Sequence, residues 1–191
     1  MTLILTKQRI ANATKQLVLT KPFNQISVTN IMQTAHLRRQ TFYDFFHDKY
    51  DVLQWVYQTE VQEAVSKCTE FKTWPETVVK MLTYFNDNRE FYQRVIQIDE
   101  QNAPEQIIQA HIEDMINEIL ADMANQKHIA VNTDYCQFVQ EMLSASLVVR
   151  LKSFLNNNHH DLVNEANQIQ YYLEDEINGL LLRLGQPVKV N

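Results

Sequence analysis

The sequence predicts an all-α protein, and three observations carry that expectation. Glycine is nearly absent: 191 residues hold 2, Gly179 and Gly185, where average usage would supply about 13. Tight hairpins favour glycine at positive φ, so the shortage argues against a hairpin-rich β fold. Apolar residues recur at helical spacing along almost the whole chain, and the four prolines fall at helix boundaries. With 45% hydrophobic and 21% charged residues, a chain of this length can bury a core, either as one domain or as a small domain joined to a larger one.

The elements follow in order. From Thr6 to Leu19, the residues Ile10, Ala13 and Leu17 mark one face of an amphipathic helix, which Lys21-Pro22-Phe23-Asn24 ends. Ser27 or a neighbour caps a second, short helix in which Val28, Ile31, Met32 and Ala35 follow the i, i+3, i+4, i+7 rule. After a brief turn, Arg38 to Phe46 forms a third segment with Phe42, Phe45 and Phe46 inward, while Arg39 and Tyr43, four apart, share another face. Asp48 caps a fourth helix along which Leu53, Tyr57, Val61, Ala64 and Cys68 descend, ending near Phe71 to Trp74. Pro75 opens a fifth with Val78, Leu82 and Phe85, and a short sixth carries Phe91, Val95 and Ile98. Pro104 restarts the chain, and Ile108, Ile112, Met115 and Ile119 define a helix to about Asn125.

Thr133 or Asp134 caps the eighth helix, which reaches Leu155 and is apolar on two sides. Phe138, Met142, Ala145 and Val149 form one row, and Val139, Leu143 and Leu147 another. A helix buried on two sides needs two partners: either it sits at the centre of a monomer or it meets a second copy of the chain. The ninth helix repeats Leu162, Ala166, Ile169, Leu173, Ile177, Leu180 and Leu184 until Gly185 and Pro187 stop it.

The net charge is −6, and its distribution matters more than its total. Residues 1–43 contain Lys7, Arg9, Lys15, Lys21, Arg38 and Arg39 and no carboxylate; the other 11 of the 17 Lys and Arg face all 23 Asp and Glu, a balance of −12. A basic head of this size can displace the counterions condensed on nucleic acid, and the acidic body is repelled by the same polyanion. Two short helices joined by a turn, the second opening Arg38-Arg39-Gln40-Thr41, suit a helix-turn-helix reader. Arg pairs bidentately with guanine and Gln with adenine, so Arg38, Arg39 and Gln40 are apt base readers. Tyr43 and Lys49 are better placed for phosphates. The alternative for each is a solvated or half-buried surface residue.

Other chemistries find little purchase. No Gly-rich loop that could cradle phosphate precedes residue 179. Cys68 and Cys136 form no CxxC pair, and the six histidines include no HExxH, so neither metal nor cofactor is implied. Glu174-Asp175-Glu176 points in three directions and cannot act as a paired acid and base. The residues therefore argue against an enzyme. The apolar run Leu3-Ile4-Leu5 is too short for a signal sequence and no stretch reaches the length of a membrane span, which predicts a cytoplasmic protein.

Residues 23 to 53 resemble the DNA-binding signature of the TetR family of bacterial transcriptional regulators. The match runs through Phe23-Asn24-Gln25-Ile26-Ser27-Val28-Thr29-Asn30-Ile31, then Ala35-His36-Leu37-Arg38-Arg39-Gln40-Thr41-Phe42-Tyr43-Asp44-Phe45-Phe46, then Asp48-Lys49-Tyr50-Asp51-Val52-Leu53. The spacing of Ala35, Thr41, Tyr43, Phe46, Lys49 and Leu53 needs no gap. The chain departs from the pattern at His36, where the family usually has a glycine in a left-handed turn, and near Gln40, often a small residue. The resemblance implies a DNA-binding head at residues 1–47 and a helical regulatory and dimerisation domain at 48–191. It assigns Thr29, Tyr43 and Lys49 to phosphate or positioning contacts and Arg38, Arg39, Gln40 and Thr41 to the reading segment.

The same resemblance implies a dimer built on the last two helices, here through Phe138, Met142, Ala145, Val149, Ile169, Leu173, Ile177 and Leu180, and a palindromic double-stranded DNA site. It also implies a small-molecule pocket among the central helices, for which Trp55, Tyr84, Tyr92, His111, Met115 and Tyr135 are candidates; the alternative is that these are ordinary core or surface residues. The C-terminal part is similar to the branch that regulates dihydroxyacetone kinase operons, which implies an activator working with a kinase-like coactivator protein. A ligand-responsive repressor, and a helical adaptor that binds no DNA, are the competing readings.

Overall fold

The computed structural model of the chain describes residues 3–62, 74–98, 104–129, 134–157 and 161–185. Among these residues the fold is all-α. Eight α-helices are described: α1 (Leu3–Thr20), α2 (Val28–Thr34), α3 (Lys49–Tyr57), α4 (Trp74–Asp87), α5 (Arg89–Val95), α6 (Pro104–Lys127), α7 (Asp134–Asn156) and α8 (Leu162–Leu184). The chain forms two compact units, one of residues 1–63 and 85–108, the other of residues 64–84 and 109–191. The predicted positions Ala64, Cys68, Phe71, Thr133 and Pro187 lie outside the described residues.

In the first unit, α1 buries Ile10, Ala11, Ala13 and Val18 against α2, α3 and α5. The chain leaves α1 at Pro22 through a 3₁₀ turn, Phe23–Gln25. Ser27 caps α2 as expected, and Asn30 completes a capping box: Ser27 Oγ accepts from Asn30 N–H, and Asn30 Oδ1 accepts from Ser27 N–H. Asp48 caps α3 by accepting from Tyr50 and Asp51 N–H. The fourth predicted helix does not continue as α past Tyr57 but widens into a π turn, Gln58–Gln62.

The third predicted segment is a 3₁₀ turn, Arg39–Phe42, rather than an α-helix. Thr41, Tyr43 and Phe45 N–H donate to the carbonyls of Arg38, Gln40 and Phe42, three residues back, and only Phe46 reaches four back, to Phe42. The run Thr41-Phe42-Tyr43 has weak helix propensity, and so short a segment gains few α-type bonds to offset it. Of the three residues expected inward, Phe42 and Phe46 are buried and Phe45 is half-buried.

In the second unit, α6 buries Ile112, Met115, Ile116 and Ile119. Along α7, Leu143, Leu147, Val148 and Leu151 are buried, and α8 contributes Leu173, Ile177, Leu180 and Leu181. Arg150 of α7 and Glu165 of α8 join the two helices in a bidentate pair through Nε and Nη2.

Two helices end on a histidine in the left-handed region: His36 at φ 53° and His128 at φ 55°. After α2, His36 N–H donates to Gln33 O and Leu37 N–H to Met32 O; after α6, His128 N–H donates to Asn125 O and Ile129 N–H to Ala124 O. Both are Schellman closures with histidine where glycine is usual. The β-carbon there costs energy that glycine would not. His36→Gly or His128→Gly should therefore raise stability by about 1 kcal/mol, and the thermal midpoint by roughly 2–4 °C, measured by circular dichroism. A lowered midpoint would mean that the imidazole makes a contact worth more than the strain.

Candidate nucleic-acid interface

The helix-turn-helix is held together by the side chains that made the head look basic. Arg9 reaches from α1 to the end of α2, donating from Nη2 to Ala35 O at 2.7 Å. Lys15 pairs with Glu60 of the π turn at 2.6 Å and lies over the Phe91 ring. The Lys7 ammonium stands 5.3 Å from the centre of the Phe46 ring. These three cations of residues 1–43 are thus engaged inside the unit.

Lys49 follows the same logic. Its Nζ donates to Phe23 O at 2.8 Å and sits 4.5 Å from the Phe23 ring centre, tying the start of α3 to the turn before α2. Tyr50 meets the same ring edge-on at 5.2 Å. The contact Lys49 makes in the chain is therefore a positioning one.

The reading segment is arranged differently. Arg38, Arg39 and Gln40 are exposed, Thr41 is half-buried, and Tyr43 keeps 54% of its surface in solvent. Arg39 Nη2 donates to Tyr43 Oη at 3.2 Å, and the guanidinium lies 5.6 Å from the ring centre, so the two residues share a face as their spacing requires. Behind them Phe42 and Phe46, both buried, contact each other at 5.8 Å, and Phe46 meets Trp55 edge-on at 6.2 Å. Thr29 is exposed in the first turn of α2. The result is a polar, cationic edge on a rigid aromatic base, which is what side chains aimed at base edges and phosphates require.

The pocket candidates fall in both units. Trp55 and Tyr92 lie in the first unit, Tyr84, His111, Met115 and Tyr135 in the second. Tyr92 is core, packed edge-on against Phe85 and Phe91. Beside it, burial pushes the Tyr57 hydroxyl far above its ordinary range, and Tyr92 adds to that. Burial lowers the His111 imidazole, opposed by Asp114. Met115 is buried, whereas Tyr135 is exposed, stacked on Phe138 and under the Arg183 guanidinium. None of these six residues lines the two grooves described below.

The dimer candidates divide sharply. Phe138, Met142 and Val149 are 56%, 57% and 66% exposed, while Ala145 and Ile169 are half-buried. Leu173, Ile177 and Leu180, expected at a dimer interface, are instead buried within the chain. The apolar residues that α8 does expose are Val163, Tyr171, Tyr172 and Leu182, which the repeat of leucines and isoleucines concealed.

Among the described residues no helix is long and apolar enough to cross a membrane, and no group of three or more His, Cys, Asp or Glu could hold a metal ion.

A relative from Lactococcus lactis subsp. lactis, the HTH-type dhaKLM operon transcriptional activator DhaS, is 36% identical over 96 residues, which is 50% of this chain and 51% of that protein. The match thus spans about half the length of that relative. A solved structure of the dihydroxyacetone kinase operon activator DhaS is 25% identical, with a TM-score of 0.58 over 95% of this chain and 97% of the other. The fold is shared with a TetR-family regulator from Syntrophomonas wolfei, at a TM-score of 0.67 and 14% identity over 99% and 100% of the two chains. It is shared too with the fatty acid degradation regulator FadR from Bacillus halodurans, at 0.62 and 16% over 92% and 96%. Residues 72–175 match the family model TetR_C_8, the transcriptional regulator C-terminal region. The chain belongs to the TetR family of transcriptional regulators.

Proposed function

We propose that this regulator is a homodimer that binds double-stranded DNA sequence-specifically, setting one reading segment per half-site into successive major grooves of a palindromic operator, about one helical turn apart. The observation that carries this reading is the exposed edge Arg38-Arg39-Gln40 with Tyr43, braced from behind by buried Phe42 and Phe46. Residues 1–47 act as the DNA-binding domain, and residues 48–191 regulate and dimerise. In this reading Arg38, Arg39 and Gln40 meet base edges, Thr29, Thr41 and Tyr43 meet the backbone, and Lys49 holds the turn that sets their height. The likeness to DhaS supports activation of a dihydroxyacetone kinase operon, and in this reading a coactivator protein is the sensor.

Selection of bound sequences from random DNA with the full chain tests this. A palindrome with half-sites one turn apart is expected; no enrichment, or binding indifferent to salt, overturns it. On the selected operator, Arg39→Ala should weaken binding by about 1–3 kcal/mol and relax preference at one base per half-site, read by fluorescence anisotropy at fixed salt. Unchanged affinity and preference would remove Arg39 from the reading set.

A further inference from the structure

In the first unit a groove of about 370 Å³ opens between the end of α1, the 3₁₀ turn Phe23–Gln25 and the end of α5. Small-molecule sites occupy roughly 300–1,000 Å³, so the size is sufficient. Its walls combine an apolar surface from Val18, Phe23 and Ile98 with two cations, Lys21 and Arg94, and two amides, Asn24 and Gln97. No carboxylate is among its described lining residues.

The simplest account of the cations is that they offset two helix C-termini. Magnitudes decide against that as the whole account. Each helix end carries about half a negative charge, and the end of α1 is already partly satisfied, since Leu17 O accepts from both Lys21 N–H and Thr20 Oγ1. Two full positive charges therefore leave a positive surplus. Arg94 has only a long, exposed contact with Glu90 on its own helix, at 3.4 Å, and such pairs contribute little.

We propose that this groove binds a small phosphomonoester. A phosphate presents three acceptor oxygens to two cations and two amide donors, where a carboxylate presents two. The carbon body rests on Val18, Phe23 and Ile98. Phe23 is also the residue whose carbonyl holds Lys49, so one wall of the groove is part of the brace behind the helix-turn-helix.

Titration calorimetry on the full chain with glycerol 1-phosphate, inorganic phosphate and acetate tests the assignment. Saturable binding of glycerol 1-phosphate, tighter than acetate, is expected, weakened about tenfold or more by Lys21→Gln or by Arg94→Gln. Arg89→Gln, on the same helix but outside the groove, should leave it unchanged. No saturation up to about 10 mM, acetate binding equally well, or an equal loss in Arg89→Gln would each overturn the proposal. Unchanged circular dichroism confirms that the variants are folded. No DNA enters the assay, so its outcome is independent of the operator reading.

Discussion

Replacing Arg150 with alanine should destabilise the second unit by about 2–3 kcal/mol, which in a chain of this length lowers the thermal midpoint by roughly 4–12 °C. The reason is the carboxylate left behind. Glu165 is 3% exposed, and both its oxygens accept from Arg150, which also pushes the guanidinium further above its ordinary pKa through those hydrogen bonds. Removing one partner of a buried pair costs about 3–5 kcal/mol because the other charge stays buried without its counter-charge. Here the Arg150 side chain is 46% exposed, so water can enter its place and the lower figure applies. Glu165→Gln removes the buried charge itself and should cost less than Arg150→Ala. Arg150→Lys should fall between wild type and alanine, because an ammonium keeps the charge but cannot donate in the bidentate fork. Thermal unfolding of the three variants orders them, and an Arg150→Ala no worse than Glu165→Gln would contradict the buried-charge account.

That pair also marks the limit of what the sequence reveals. Positions 150 and 165 lie on different helices, and no periodicity links them; the same holds for Lys15 and Glu60, or Lys49 and the Phe23 carbonyl. Local signals did carry through. Ser27 and Asp48 cap helices because a short side-chain oxygen beside a run of helical spacing has few better uses. The His36 departure does occupy a left-handed position, since the hydrogen bonds that close α2 fix the backbone whichever residue stands there. Counting cations in residues 1–43 located the basic head but overstated its reach, because Arg9 and Lys15 are spent on carbonyl and carboxylate contacts within the fold. Helical periodicity identified Leu173, Ile177 and Leu180 as one apolar face, yet the same stripe serves a helix packed on its own chain or on a copy. Only the packing of α8 distinguishes them.

The exposed face of α7 leads to the largest expected effect. Phe138, Met142 and Val149 stand mostly in solvent along one side of a helix whose other side is core, and the α8 residues Tyr171 and Tyr172 are exposed as well. A groove of about 210 Å³, lined by Leu147, Ile169 and Tyr172 with Arg150 at its edge, lies on the same pair of helices. Large apolar patches on a soluble chain mark contact surfaces, and in a two-fold dimer the same patch meets itself, so every substitution acts twice. Phe138→Glu combined with Met142→Glu places four carboxylates in one such interface. Lost apolar burial of about 1.5–3 kcal/mol per large side chain, with like-charge repulsion added, should raise the dimer dissociation constant by about a thousandfold or more. Sedimentation equilibrium should then find monomer at micromolar concentrations where the proposed dimer is expected of the unmodified chain. Because both positions are exposed in the single chain, helix content and thermal midpoint should change little, which separates lost association from lost folding. A monomer presents one reading segment instead of two, so its affinity for a palindrome should drop towards that for a single half-site. A variant that remains a dimer of unchanged affinity would show that this face of α7 is not where two copies meet.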